Sequence, residues 1–194
     1  MRQKDTLIFI LLGVGLFIMS ALGLYLFLGQ SNEPAPEGYK IYKNVFDHYK
    51  MIYPEDWKVY NPGSPISIQF LSPDIDLSIK GFPRDAAVTI VIDDLSKAPK
   101  QLDEYTDTAI KQVKVVYQSA VEVSETKPTE LSGYPAYQFS YVITLPEKGS
   151  TKIQNVWTIA NNKAYQFTYA APVEQFDQNK DIIDRVIESF KITK

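Results

Sequence analysis

Glu130-Leu-Ser-Gly-Tyr-Pro-Ala-Tyr-Gln-Phe-Ser-Tyr141, ELSGYPAYQFSY, sets a Gly-Tyr-Pro turn directly ahead of alternating aromatic residues. Gly133 breaks the chain, because it enters backbone conformations closed to other residues, and the proline after Tyr134 fixes the turn further. Past the small Ala136, the side chains of Tyr137, Phe139, Tyr141, Ile143 and Leu145 share one face of an extended segment. Gln138, Ser140, Val142 and Thr144 share the other. That period of two predicts a strand with one buried face, so these rings read as packing rather than as a ligand cage.

The same period continues. Ile153, Trp157 and Ile159 fall on odd positions, and after the turn Asn161-Asn162-Lys163 so do Tyr165, Phe167 and Tyr169, with Gln166 and Thr168 opposite. Three such segments in succession predict an antiparallel meander. Upstream, residues 41–44 and 48–53 predict a first hairpin, and residues 66–71, 77–82 and 88–92 predict shorter strands. Proline and aspartate turns at Ser72-Pro73-Asp74 and Pro83-Arg84-Asp85 separate them. Two segments change period instead. Leu102, Thr106, Ala109, Val113 and Val116 form the apolar stripe of a helix over 102–117. A second helix is predicted from about Pro172 to Phe190, with Phe176, Ile183, Val186, Ile187 and Phe190 on one face. The expected fold class is α+β, an antiparallel β-sheet flanked by helices, preceded by one transmembrane helix.

That membrane segment is residues 7–28, LIFILLGVGLFIMSALGLYLFL, an uncharged run long enough to cross a hydrocarbon core about 30 Å thick. The run outlasts the apolar region of a cleaved signal peptide, so retention as a signal anchor is expected. Arg2 and Lys4 precede it, whereas Glu33 and Glu37 follow it, which predicts a cytoplasmic N-terminus at residues 1–6 and an extracytoplasmic remainder. Residues 29–38 then serve as a linker, and residues 39–194 as the folded domain. The expected location is the cell membrane, single-pass, with membrane lipid as one partner through this helix. Once Arg2, Lys4 and Asp5 are set aside, 18 bases face 22 acids, a net charge of −4.

Composition excludes whole classes of function. With a net charge of −3, a pI near 5.2 and interspersed signs, the chain has no basic footprint for nucleic acid. Cysteine is absent, which removes disulfides, thiol chemistry and cysteine metal sites. One histidine, His48 beside Asp47, has no second histidine or activated serine to work with, and it reads as a surface turn residue. Carboxylates pair at Asp74/Asp76, Asp93/Asp94 and Asp103/Glu104 with Asp107. Of these only Asp74 and Asp76 have the alternation that could contribute to a Ca²⁺ or Mn²⁺ site, and no complete calcium loop surrounds them. Asp103, Glu104 and Asp107 suit the start of a helix. No enzyme activity and no cofactor are expected.

The order of these pieces resembles the PsbP-like domain family: a Tyr-rich hairpin ending in YPEDW (Tyr53 to Trp57), a mid-chain helix, SGYPAYQFSY, an aromatic hairpin VWTIANNKAYQFTYAAP (Val156 to Pro172) and a closing helix ending in VIESFKI (Val186 to Ile192). The resemblance covers about Tyr39 to Lys194. It implies a PsbP-like α/β/α sandwich and carries over no catalytic residue. The family's photosystem members are extrinsic lumenal subunits of photosystem II that assist calcium and chloride retention, and other members are assembly factors or membrane-anchored proteins. This chain departs from the photosystem members in its long apolar segment, and it shows neither a transit peptide nor a lipid-anchor cysteine. Two functions are open: a non-enzymatic accessory domain that docks on or stabilises a membrane protein complex, or an extracytoplasmic ligand- or metal-ion-sensing domain.

Overall fold

Alternation in the sequence becomes extended chain in the structure. A computed structural model describes residues 34–73, 85–118, 121–124, 126–145 and 149–193. The expected membrane segment 7–28, the expected strand 77–82 and the pair Asp74 and Asp76 lie outside the described residues. No helix among the described residues is long and apolar enough to cross a membrane.

Along the chain come β1 (Tyr39–Asn44), β2 (Tyr49–Pro54), β3 (Lys58–Tyr60), β4 (Ile66–Leu71) and β5 (Ala87–Asp94), then α1 (Leu102–Tyr117). They are followed by β6 (Val121–Val123), β7 (Lys127–Leu131), β8 (Tyr134–Leu145), β9 (Gly149–Ala160) and β10 (Lys163–Pro172). The chain closes with α2 (Val173–Phe176), one 3₁₀ turn, α3 (Lys180–Ser189) and β11 (Lys191–Ile192). An eight-stranded antiparallel sheet runs β3-β4-β5-β10-β9-β8-β6, with β7 also paired to β8. The expected meander is its β8-β9-β10 centre. The first hairpin, however, belongs to a separate three-stranded sheet, β1-β2-β11. Two residues of β11 suffice to hold it, because the Ile52 N–H beyond their reach donates instead to Ser189 Oγ at 3.0 Å.

The turn between β9 and β10 decides which rings face which layer. Asn161 and Asn162 adopt φ of 53° and 58°, the geometry of a two-residue hairpin loop, and Ala160 pairs with Lys163. Odd positions of β9 therefore face even positions of β10. Trp157 stands beside Tyr137 and Gln166, while Tyr165 and Phe167 stand beside Thr158 and Val156 on the opposite face. Both faces are buried. Trp157, Phe139, Tyr141 and Ile153 pack under α1, whereas Tyr165, Phe167 and Tyr169 pack with Tyr49, Phe70 and Phe190 toward the small sheet and α3.

Three expectations need correction here. Gln166 and Thr168 are buried rather than solvated, since β10 lies mid-sheet with a layer on each side. Their donors bond to Asn155, whose Oδ1 accepts from Thr168 Oγ1 at 2.7 Å and from Gln166 Nε2 at 3.0 Å, while Gln166 Oε1 and Asn155 Nδ2 stay buried without a partner among the described residues. The helix over 102–117 forms as expected, but Val116 is 67 % exposed and Tyr105 is buried in its place. At that end the helix meets the three-residue strand β6, too short a platform to cover its last turn. Finally, the closing helix is broken into α2 and α3 by the turn at Asp177–Asn179, although Phe176, Ile183, Val186 and Phe190 still share the buried side.

Burial raises the tyrosine hydroxyls. Tyr169 is pushed up to about 12, and Tyr105 and Tyr141 go higher still, each chiefly because its charged form would lose solvation. A raised folded value means that the stability contributed is complete below the ordinary value near 10 and is lost as pH climbs from there through about 12. Absorbance titration at about 295 nm should thus show the exposed tyrosines ionising first and the buried ones only as secondary structure collapses. A single transition near the ordinary value, with the circular dichroism intact, would contradict this packing.

Candidate docking site

The β1–β2 turn is tied down from several directions. Asn44 Oδ1 accepts from the N–H groups of Phe46 and Asp47, both at 2.9 Å, while Asn44 Nδ2 donates to Asp47 Oδ2 and to Ser67 Oγ. Ser67 Oγ donates to Asp47 Oδ2 at 2.8 Å, so Tyr49 must be the donor in its 2.9 Å bond to Ser67. From β10, Lys163 Nζ reaches Asp47 Oδ1 at 3.5 Å and the Phe46 carbonyl at 3.4 Å, and Tyr165 donates to the Asp47 carbonyl at 3.0 Å. The carbonyl of His48 accepts from the Thr193 N–H at 2.7 Å. On this fixed scaffold Phe46 is 73 % exposed and Val45 38 % exposed. A large ring offered to solvent by a turn with little freedom left to lose has the properties of a binding anchor.

The GYP turn comes up beside it. Ser132 and Gly133 take φ of 58° and 81°, closing a two-residue hairpin in which Leu131 pairs with Tyr134. Ser132 spends its hydroxyl on the small sheet, accepting from the Ile192 N–H at 2.7 Å. Ser132→Ala should therefore cost about 1 kcal/mol, measured by urea denaturation, and speed hydrogen exchange at Ile192. An unchanged Ile192 exchange rate would show that the bond is not made in solution. Tyr134 follows on the same side as Tyr165 and remains 37 % exposed, whereas Phe139 and Tyr141 of the same strand are sealed in the core.

Next to this turn lies a groove of about 330 Å³ between the β7–β8 hairpin and α3. Gln138 and Gln154 line it from the sheet, Glu130 from β7, Asp184 and Glu188 from α3, and Lys191 from β11. The C-terminal segment links this groove to the β1–β2 turn, because Ser132 of the groove is bonded to Ile192 and the next residue, Thr193, to His48.

Of the other sequence candidates, His48 lies exposed in the β1–β2 turn itself, with φ of 57°. Asp93 is raised by burial at the end of β5, with Lys100 opposing; Asp94 is lowered by hydrogen bonds from Ser96. Asp103 starts α1 and accepts from the Tyr137 hydroxyl at 2.8 Å. Among the described residues no three His, Cys, Asp or Glu side chains are placed to hold a metal ion. Phe46 escaped the sequence reading, though the signal was present: an apolar pair, Val45-Phe46, inside a tight turn where polar residues are the rule.

Known proteins place this architecture. The PsbP family model matches residues 37–192. CyanoP of Thermosynechococcus vestitus is 23% identical over 181 residues, covering 91% of this chain and 97% of its own length. The solution structure of cyanobacterial PsbP (CyanoP) from Synechocystis sp. PCC 6803 superposes with a TM-score of 0.59 at 18% identity, covering 85% of this chain and 98% of that one. The yeast Ran-binding protein Mog1p shares the fold as well, with a TM-score of 0.54 at 5% identity over 80% of this chain and 96% of its own.

Proposed function

This chain belongs to the PsbP family, and from that premise we propose that it is a non-enzymatic accessory domain that docks on a membrane protein complex. The observation that carries the reading is Phe46, exposed on a turn in which the N–H groups of Phe46 and Asp47 are bonded to Asn44 and the carbonyls of Phe46, Asp47 and His48 accept from β10 and the C-terminal segment. Such a turn loses little entropy when a partner covers it, and an aromatic anchor of this kind typically dominates an interface. The uncharged segment 7–28 supplies the membrane anchor in this reading, with Arg2 and Lys4 holding the N-terminus in the cytoplasm and the domain outside. The partner is then the extracytoplasmic part of a membrane protein complex.

The test is photocross-linking in native membranes, with a benzophenone amino acid at position 46 of the full-length chain and, as control, at the exposed Val115 on α1. A discrete protein adduct from position 46 and none from position 115 is expected. Adducts to lipid alone, or equal labelling at both positions, would sink the docking role. Protease added to intact spheroplasts should remove the domain, and protection until lysis would reverse the orientation.

A further inference from the structure

Resting on that docking role, we infer that the groove beside the Ser132–Gly133 turn takes an arginine or lysine side chain from an extended basic segment of the partner. Glu130 and Glu188 approach the groove from opposite walls, one on β7 and one on α3, and neither has an ion-pair partner among the described residues. Asp184 is different, being engaged by Lys180 one helical turn away. Lys191 contributes one positive charge at the margin, which leaves the two free carboxylates in excess. Between the walls, the carboxamides of Gln138 and Gln154 present acceptors and donors that match a guanidinium or a passing peptide group. The arrangement suits charge-assisted bonds from a cation reached on two sides. At about 330 Å³ the space is at the small end of ligand pockets, sufficient for a long side chain and little more.

Position supports the same occupant. The groove-lining Ser132 is bonded to Ile192, and the next residue, Thr193, is bonded to His48 in the turn that carries Phe46, so one partner segment can meet a charged pocket and an aromatic contact joined by the same C-terminal segment. An anionic membrane surface fits poorly here, because the two free carboxylates and the −4 charge of the region after the apolar segment oppose it. The partner chemistry assigned is a basic protein segment.

The experiment uses the ¹⁵N-labelled full-length chain in neutral detergent, titrated with N-acetyl-argininamide as probe and its neutral isostere N-acetyl-citrullinamide as control. Amide signals of Ser132, Gly133, Gln154 and Ile187 should shift saturably with the arginine probe only. The exposed pair Glu130→Gln/Glu188→Gln should weaken that response by about tenfold while leaving the unfolding midpoint unchanged. Equal shifts with citrullinamide, an undiminished response in the double variant, or shifts produced by phosphatidylglycerol vesicles instead of argininamide would each overturn the inference. Cross-linking from position 46 separates it from the docking role. An adduct that persists in E130Q/E188Q, with no groove response to argininamide, removes the basic-segment assignment and leaves docking intact.

Discussion

Replacing Trp157 by alanine should lower stability by about 3 to 5 kcal/mol, a large share of the roughly 5 to 15 kcal/mol that holds a typical domain together. The indole is fully buried between sheet and helix, edge-on to Phe139 at 4.9 Å between ring centres and to Tyr105 at 6.4 Å. Its N–H donates to Thr106 Oγ1 at 2.8 Å, so truncation opens a cavity and strands a buried hydroxyl on α1. Urea denaturation followed by far-ultraviolet circular dichroism gives the measurement. Trp157→Phe keeps most of the packing and loses the hydrogen bond, and it should cost distinctly less. Thr106→Val should cost about 1 to 2 kcal/mol, because it leaves the indole N–H unpaired. If Trp157→Ala leaves the midpoint where it was, the register of β9 against α1 is wrong.

Phe190→Ala should cost a similar amount, about 3 to 5 kcal/mol, for a different reason. Phe190 ends α3 and is buried against both sheets at once, stacked on Tyr49 of β2 at 5.2 Å and edge-on to Tyr165 of β10 at 6.2 Å. It joins the layers. Losing it should loosen the small sheet before the large one, so amide exchange in β2 and β11 should accelerate more than in β8 and β9. Equal acceleration in all four strands would mean that the two sheets unfold as one unit. Because the β1–β2 turn and the Ser132–Ile192 bond both depend on that small sheet, this variant should also weaken docking through Phe46, whereas Trp157→Ala at a temperature where it remains folded should not.

Membership of the PsbP family and the C-terminal link between the groove and the β1–β2 turn place different weights on different residues. The rings of Phe139, Tyr141 and Trp157 make the fold. Tyr134 and Phe46, from turns far apart in sequence, remain at the surface where a partner can reach them.

Read alone, the sequence determined the central strands and the mid-chain helix, whose apolar positions repeat with a regular period. The strand at 66–71 and the helix at 102–117 match the structure residue for residue, and the β8-β9-β10 meander follows from alternation and from its turns. Local rules suffice there, since a strand alternates and a helix stripe repeats whatever lies against it. The family was also legible, in the order of its aromatic hairpins. What only the tertiary structure decided is which layer covers which face. Nothing local separates the first hairpin from the main sheet, because β2 finds its second partner in β11 more than 130 residues later, and Ser189 completes the pairing. The burial of Gln166, Thr168 and Asn155 was hidden for the same reason: polar side chains look solvated until a second layer closes over them and they bond to one another. The docking end is the extreme case. Asn44, Ser67, Lys163 and Tyr165 stand on three different strands, β1, β4 and β10, and only their convergence on one turn makes Phe46 a fixed anchor rather than a loose surface ring.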